Sequence, residues 1–230
     1  MVNKETLMSD APREKTFLLA RHEGRVLDWL AQRLPARVMP DHMTLLGVFA
    51  ALGIGAAYWL TLRDPAWLWL ASGLLVVHWL GDSLDGTLAR VRRIERPKYG
   101  YYLDHLVDAG ATIVIGMGLG LSPYMSLVAG LAIVIAYLAL SINTYLETQV
   151  FGVFSLGYGR VGPTEARVGL IVLNLVLLAG ATFQVAGQGL IDLVALGAAG
   201  VMLAALGVRA ARNLRVLAAR EPAGVVSAQE

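Results

Sequence analysis

The sequence predicts an all-α integral membrane protein, with six transmembrane helices and an N-terminal amphipathic helix at the membrane interface. Three observations indicate this fold class. Of the 230 residues, 57% are hydrophobic and only 16% are charged, whereas soluble globular domains usually contain about 25% charged residues. Long segments contain no charged side chain, and lysine and arginine fall almost entirely in alternate gaps between them. The absence of cysteine excludes a secreted disulfide scaffold.

The N-terminal segment is expected to contain a helix that lies on the membrane surface. Within residues 16–37, arginines are interleaved with apolar residues at helical spacing, namely Leu19, Val26, Leu27, Leu30 and Leu34. This pattern is typical of an amphipathic helix on the cytoplasmic leaflet. The alternative is a soluble cap that packs on the helix bundle.

Segments without charge define the six spans. Charged side chains are absent from residues 43–62, 65–81, 109–146, 168–191 and 193–208. A bilayer core requires about 20 apolar residues of helix, so the segment 109–146 is long enough for two spans, which we separate near Ser122 and Pro123. We therefore predict helices over residues 43–62, 65–88, 100–121, 124–147, 166–187 and 189–211.

Positive charge predicts the orientation of these spans. Of the 19 lysines and arginines, all except Arg63 lie before the first span, at or after the end of the sixth, or in and beside the gaps after the second and fourth. The positive-inside rule then places both termini in the cytoplasm, in a multi-pass protein of the cytoplasmic membrane. The expected divisions are a cytoplasmic N-terminal segment (1–38), a six-helix transmembrane domain (39–213) and a cytoplasmic tail (214–230).

Four aspartates lie where carboxylates are costly and usually functional. Asp82 and Asp85 end the second span, and Asp104 and Asp108 begin the third. Spacings of three and four residues place each pair on one helix face, so all four are expected to converge near the cytoplasmic interface. Clustered carboxylates repel one another unless cations bind, and they suit Mg²⁺, Mn²⁺ or Ca²⁺. Two such ions would clamp a diphosphate; the alternative is pairing with loop arginines that holds the bundle together.

Small residues beside these aspartates leave space for a ligand. Gly86 and Ala89 form a groove that a planar base or a phosphate would enter, and Gly100 permits close approach of a ligand to the third span. Arg90 lies one turn beyond Gly86, within reach of a phosphate. The alternative for the glycines is simple helix packing in lipid.

A longer motif unites these positions. It comprises Asp82, Asp85, Gly86, Ala89, Arg90, Gly100, Asp104 and Asp108. Their spacing resembles the signature of the CDP-alcohol phosphotransferases, D-x2-D-G-x2-A-R, eight or nine residues, then G-x3-D-x3-D. The resemblance implies a six-helix membrane enzyme of phospholipid synthesis, which transfers a substituted phosphate from a CDP-linked donor to an alcohol and releases CMP. The active site would face the cytoplasm.

The family resemblance also implies roles for individual residues. Asp82, Asp85 and Asp104 would be metal ligands, and Asp108 would complete the site and act as the general base. The nucleotide would be bordered by Gly86, Ala89 and Gly100, and the cofactor would be Mg²⁺ or Mn²⁺, as two ions. The expected partners are a CDP-linked donor and an alcohol acceptor, one of them a lipid, and a second copy of the chain in a homodimer; no nucleic acid is expected.

Weaker features extend the resemblance. The segment Pro40–Thr44 resembles the family's Pro-Asn-x-x-Thr with Asp41 in place of asparagine, so Thr44 would help to hold the cytidine or would serve only as a helix start. His105 and Glu165 resemble residues of the choline and ethanolamine phosphotransferase branch. His105 would be a base, a neighbour of the ligands or a packed polar group, and Glu165 a catalytic acid or a first-turn acid that suits the helix dipole.

Several alternatives remain open at this stage. The donor is either CDP-diacylglycerol with a polar alcohol as acceptor, or a CDP-amino alcohol with diacylglycerol. Arg160 and Arg167, together with Arg90, would receive a phosphate or would be ordinary positive-inside charges. For His78, Asn143 and Asn174, which lie within spans, we predict hydrogen bonds between helices. A cation-coupled transporter is the alternative class, although it would carry polar residues deeper in the bilayer and discontinuous helices.

Overall fold

The computed structural model describes residues 20–151, 162–180, 184–185 and 188–221. Within these ranges the chain forms seven α-helices and one short antiparallel strand pair. The helices are α1 (Ala20–Arg33), α2 (Pro40–Leu60), α3 (Trp67–Arg92), α4 (Pro97–Gly120), α5 (Leu127–Phe151), α6 (Pro163–Leu178) and α7 (Leu190–Arg220). The strands are β1 (Gln184–Val185) and β2 (Gln188–Gly189).

Four of these helices, α2, α4, α5 and α7, are long and apolar enough to cross a membrane by length and composition. Helix α6 has 16 residues, which at about 1.5 Å per residue is shorter than a hydrocarbon core of about 30 Å. Helix α3 is not among the four, and it contains Asp82 and Asp85 in its second half. The all-α membrane fold is therefore confirmed, with four candidate spans, and the count of six stays a prediction.

The helix ends differ from the predicted ends where the backbone changes conformation. The fifth span was predicted to reach residue 187, but α6 ends at Leu178 because Gly180 adopts a positive φ of 79° and β1 follows. Helix α7 continues past the predicted end at 211 to Arg220, since residues 209–220 contain neither glycine nor proline. It thereby crosses the expected domain boundary at 213, and the division into domains stays a prediction.

Helix α2 forms the centre of the bundle because glycines let two neighbours approach its backbone. A Cβ atom added to Gly81 of α3 would lie 2.6 Å from the backbone nitrogen of Gly47. One added to Gly118 of α4 would lie 2.5 Å from the Cα atom of Gly55. Backbone-to-backbone packing of this kind requires small residues, and it fixes the relative heights of α3 and α4.

A buried polar chain joins α2, α3 and α6. The hydroxyl of Tyr58 donates a hydrogen bond to Oδ1 of Asn174 at 3.1 Å, and Nδ2 of Asn174 donates to Oγ of Ser72 at 3.1 Å. The hydrogen bonding between helices predicted for Asn174 is thus present. Asn143 donates to Glu147 of its own helix, and Nδ1 of His78 is buried without a hydrogen-bond partner among the described residues. The predicted hydrogen bond between helices is therefore absent at Nδ1 of His78 within the described part of the chain.

Helix α1 packs on α3 through one apolar face. Leu27 and Ala31 are buried against Leu84 and Leu88. The linker that follows α1 is held by Arg92, whose guanidinium donates to the backbone carbonyls of Leu34, Pro35, Ala36 and Val38. A helix is present over Ala20–Arg33, within the predicted range 16–37, and its contact with the bundle agrees with the cap alternative. Its position relative to the membrane stays a prediction.

Candidate active site

Helices α3 and α4 bring three of the four aspartates together. Asp82 of α3 and Asp104 and Asp108 of α4 each offer a carboxylate oxygen within 4.8 Å of the others, and all three side chains are partly buried. The linker between the helices is short because α3 ends at Arg92, where the following residue, Arg93, has a left-handed φ of 56°, and α4 begins at Pro97. The antiparallel neighbours therefore carry their aspartates at a similar depth.

Asp85 lies beside this carboxylate trio rather than within it. Its Oδ2 accepts a hydrogen bond of 2.8 Å from the hydroxyl of Thr44 in α2. Asp85 lines the same cavity as Asp82 and Asp104, but its carboxylate meets the start of α2 and is not one of the three within 4.8 Å of one another. The convergence of all four carboxylates on one metal site stays a prediction. Thr44 is accordingly bound to a site aspartate, and its hydroxyl also lies 3.4 Å from the carbonyl of Pro40 in its own helix.

A cavity of about 510 Å³ opens beside the aspartates, within the usual size range of small-molecule sites. It is bounded by the start of α2, the end of α3, the α3–α4 linker and the start of α4. Eight residues predicted for the site line it: Thr44, Asp82, Asp85, Gly86, Ala89, Arg90, Gly100 and Asp104. Three others, Asp108, His105 and Glu165, are not part of its lining.

The glycines at the cavity are not required by helix packing. A Cβ atom added to Gly100 would meet nothing within 4 Å, and one added to Gly86 would meet only Nη1 of Arg90, at 3.3 Å. The end of that side chain can move. These two glycines leave open space beside the carboxylates, so the packing alternative fails for them.

A cation from α6 enters the site. Nη2 of Arg167 lies 2.5 Å from Oδ2 of Asp82, and both side chains are mostly buried. The ion pair compensates part of the negative charge that the trio concentrates. Arg90 instead donates to the hydroxyl of Thr87 on its own helix, at 3.0 Å. Arg160 lies outside the described residues.

The rim of the cavity carries an exposed ion pair between the start of α2 and the α3–α4 linker. Arg96 donates a hydrogen bond to the Asp41 carboxylate, and this bond raises the pKa of the guanidinium above its ordinary value. Both residues line the cavity. Arg96 therefore keeps its positive charge at the entrance at any ordinary pH.

His105 and Glu165 make contacts typical of structural roles. The His105 ring packs between Tyr101 and Tyr145, with ring centroids 4.0 and 4.4 Å away, and its Nδ1 lies 2.7 Å from the Tyr101 carbonyl oxygen. It lies 3.8 Å from the Asp104 carboxylate. Oε2 of Glu165 accepts a hydrogen bond of 2.9 Å from the backbone N–H of Gly162, which caps α6. These contacts favour the packed-group and first-turn alternatives.

Two acidic residues near the site were not identified as candidates from the sequence. Glu147 of α5 is buried, pairs with Arg209 at 2.5 Å and accepts from Asn143 and Asn213. It precedes Thr148, which lines the cavity. Glu23 of α1 accepts hydrogen bonds from α3 and α6. Both carried a signal, since Glu147 ends an uncharged segment and Glu23 lies one turn before Leu27 on the apolar face of its helix.

Comparison with known proteins agrees with this geometry. A family model described as CDP-alcohol phosphatidyltransferase matches residues 37–205. The chain belongs to the CDP-alcohol phosphatidyltransferase family. With four candidate spans, it is an integral membrane protein.

Individual relatives differ in the donor that their names imply. The chain is 25% identical to "Cholinephosphotransferase 1" of Danio rerio over 160 residues, which cover 64% of this chain and 40% of that protein. It is 32% identical to "CDP-diacylglycerol--serine O-phosphatidyltransferase" of Encephalitozoon cuniculi over 144 residues, or 56% of this chain and 35% of that protein. An uncharacterized protein of Aquifex aeolicus is 31% identical over 148 residues, or 61% of this chain and 72% of that protein. The chain thus spans less than half the length of the two named relatives.

Proposed function

We propose that the protein is a membrane-embedded phosphotransferase of phospholipid synthesis. It transfers a substituted phosphate from a CDP-linked donor to an alcohol acceptor and releases CMP. The observation that carries this proposal is the carboxylate trio of Asp82, Asp104 and Asp108, which lies beside a cavity lined by the other positions of the family motif. The acids lie toward one end of the bundle, which favours an enzyme over a transporter with a site at the bilayer midplane.

The trio fits a divalent metal. Its ligand atoms are all carboxylate oxygens, which suit Mg²⁺ or Mn²⁺, and Asp85 is near enough to extend the set toward the two ions that the family resemblance implies. Bound cations would neutralise the diphosphate of the donor and make CMP a better leaving group.

The chain's own residues supply binding and proton transfer. Gly86, Ala89 and Gly100 border the space for the nucleotide, and Arg90 is within reach of its phosphates. Asp108 takes the proton from the acceptor hydroxyl as the general base. His105 and Glu165 are the competing candidates for that proton, and their contacts support packing and capping instead.

The names of the relatives do not distinguish between the two classes of CDP-linked donor, since both classes occur among them. A panel of CDP-choline, CDP-ethanolamine and CDP-diacylglycerol, each with matching acceptors, identifies it by CMP release. Purified protein with Mg²⁺ should release CMP with at least one pair, and a chelator should abolish the release. If no donor yields CMP while a cation gradient drives transport in vesicles, the protein is a transporter.

We also propose the finer arrangement in the membrane. All of α2 to α7 cross, α1 lies at the inner interface, and the cavity and both termini face the cytoplasm. The exposed side chains of Val26 and Trp29 on α1 support an interfacial position. The chain has no cysteine, so a single cysteine at position 63 or 95 reports its side directly. A membrane-impermeant maleimide on intact cells should label position 63 and spare position 95.

Assembly as a homodimer is part of the same proposal and rests on the family resemblance. Light scattering of the detergent-solubilised protein, corrected for bound detergent, should give twice the chain mass of 24.6 kDa.

A further inference from the structure

The carboxylate of Glu23 joins three helices at one point. Its Oε1 accepts hydrogen bonds from Nε1 of Trp79 at 2.7 Å, from Oγ of Ser83 at 3.2 Å and from Oγ1 of Thr164 at 3.0 Å. Its Oε2 lies 3.2 Å from the same threonine hydroxyl. Trp79 and Ser83 belong to α3 and Thr164 to α6. A charged acceptor with three donors makes stronger hydrogen bonds than a neutral one.

The residues that Glu23 holds adjoin the carboxylate trio. Ser83 follows Asp82 in α3 and lines the cavity. Thr164 lies three residues before Arg167 on α6, so the two side chains share one face of the first turns. Glu23 therefore connects the same two helices as the ion pair between Arg167 and Asp82, and it does so about one helical turn away.

Helix α1 has contacts with the bundle besides those of Glu23. Leu27 and Ala31 bury the apolar face of α1 against α3, and Arg92 holds the linker after α1 through four backbone carbonyls. The link from Glu23 to α6 is its hydrogen bonding to Thr164, its one hydrogen-bond partner there among the described residues.

We propose that Glu23 is a positioning residue for the reaction. It holds the start of α6 against α3, keeps Arg167 beside Asp82, and so sets the orientation of a carboxylate in the trio. The inference rests on the proposed function for its kinetic consequence, and its structural part is tested separately. Since Glu23 does not touch the cavity, its removal alters the alignment of the reacting groups more than the binding of the donor.

Kinetics of variants provide the first test. Glu23→Ala should lower kcat by about tenfold or more, because small displacements far from the reacting atoms carry large penalties, while KM for the donor changes little. Glu23→Gln keeps an acceptor oxygen and should recover most of the activity. The matched control is Asp28→Ala, which removes an exposed carboxylate of the same helix and should behave as wild type.

A double-variant cycle separates positioning from general stabilisation. If Glu23 acts through Arg167, then Glu23→Ala should add little to the loss of kcat that Arg167→Gln already causes. Losses that simply multiply in the double variant would overturn the inference.

Hydrogen exchange measures the structural part without an activity assay. In Glu23→Ala, amide exchange over residues 166–171 should accelerate relative to wild type and to Asp28→Ala, while exchange in α2 and α5 stays constant. Unchanged exchange in α6 would overturn the inference. If wild type releases no CMP from any donor, the proposed function fails, and hydrogen exchange still decides whether Glu23 holds α6.

Discussion

Glycine has opposite uses in two regions of this bundle. In the middle, Gly81 and Gly118 bring α3 and α4 against the backbone of α2, and a Cβ atom at either position would overlap that backbone. At the cavity, a Cβ atom on Gly100 would meet nothing, and one on Gly86 would meet only the end of an arginine. Glycines in the middle of the bundle allow two helix backbones to touch, whereas those at the cavity leave room for a ligand. Composition alone does not distinguish these uses; the neighbouring backbone does.

The largest effect should come from the carboxylates in the second region. Asp108→Asn keeps the size of the side chain and removes its basicity, so CMP release should fall by about 10²- to 10⁴-fold, measured with saturating donor and Mg²⁺. The thermal midpoint in detergent should remain close to wild type. Asp28→Asn, an exposed site on α1, is the control. Near-normal turnover in Asp108→Asn would show that another residue, His105 or Glu165, is the general base. The variants His105→Ala and Glu165→Gln would then identify which of the two it is.

Gly81→Ala tests the contact region. The added methyl group would lie 2.6 Å from a backbone nitrogen of α2, and overpacking of this kind costs about 1–3 kcal/mol of stability. We expect a lower thermal midpoint in detergent and loss of activity only in proportion to the unfolded fraction. An unaltered midpoint would show that α2 and α3 can separate without cost.

Asn174→Ala tests the polar chain that crosses the same region. The substitution leaves the buried Tyr58 hydroxyl and the Ser72 hydroxyl without their common partner, and such unsatisfied groups cost about 1–3 kcal/mol. The double variant Tyr58→Phe with Asn174→Ala should recover part of the loss in an unfolding titration. A double variant less stable than Asn174→Ala alone would contradict this account.

Gly100→Ala should have the smallest effect on the fold and the opposite sign to Gly81→Ala. Nothing lies within 4 Å of the new methyl group, and alanine is favoured over glycine within helices by up to about 1 kcal/mol. The protein should be as stable as wild type or slightly more so, while KM for the CDP-linked donor rises because the methyl group occupies the cavity. If both stability and KM matched wild type, the nucleotide would lie elsewhere.

Local patterns in the sequence predicted most of the helices and the aspartates of the candidate site. Asp82 and Asp104 were expected to converge because they end and begin antiparallel neighbours, and they do. The end of α6 was missed because a positive φ at Gly180 leaves no signal in an uncharged segment. Asp85 was expected to converge with the other three because its spacing from Asp82 fits one helix face. It lines the same cavity, but its hydrogen bond to the Thr44 hydroxyl, 41 residues away, was not foreseen.

Contacts between distant parts of the chain were beyond such reasoning. Arg167 reaches Asp82 across 85 positions, and Glu23 reaches Thr164 across 141. Each pairing depends on the rotation of two helices about their axes, and hydrophobic periodicity specifies that rotation poorly in helices that are apolar on most faces. The charges were visible in the sequence, but their partners required the packed bundle.

The four bonds from Arg92 to the linker between α1 and α2 also constrain synthesis of the protein. The carbonyls that accept them are made 54 to 58 residues before the arginine that donates. At a ribosomal rate of about 5–20 residues per second, Arg92 is added to the chain several seconds after the linker that it binds. For most of that interval α1 has been translated, but Leu84 and Leu88, which cover its apolar face in the folded protein, have not.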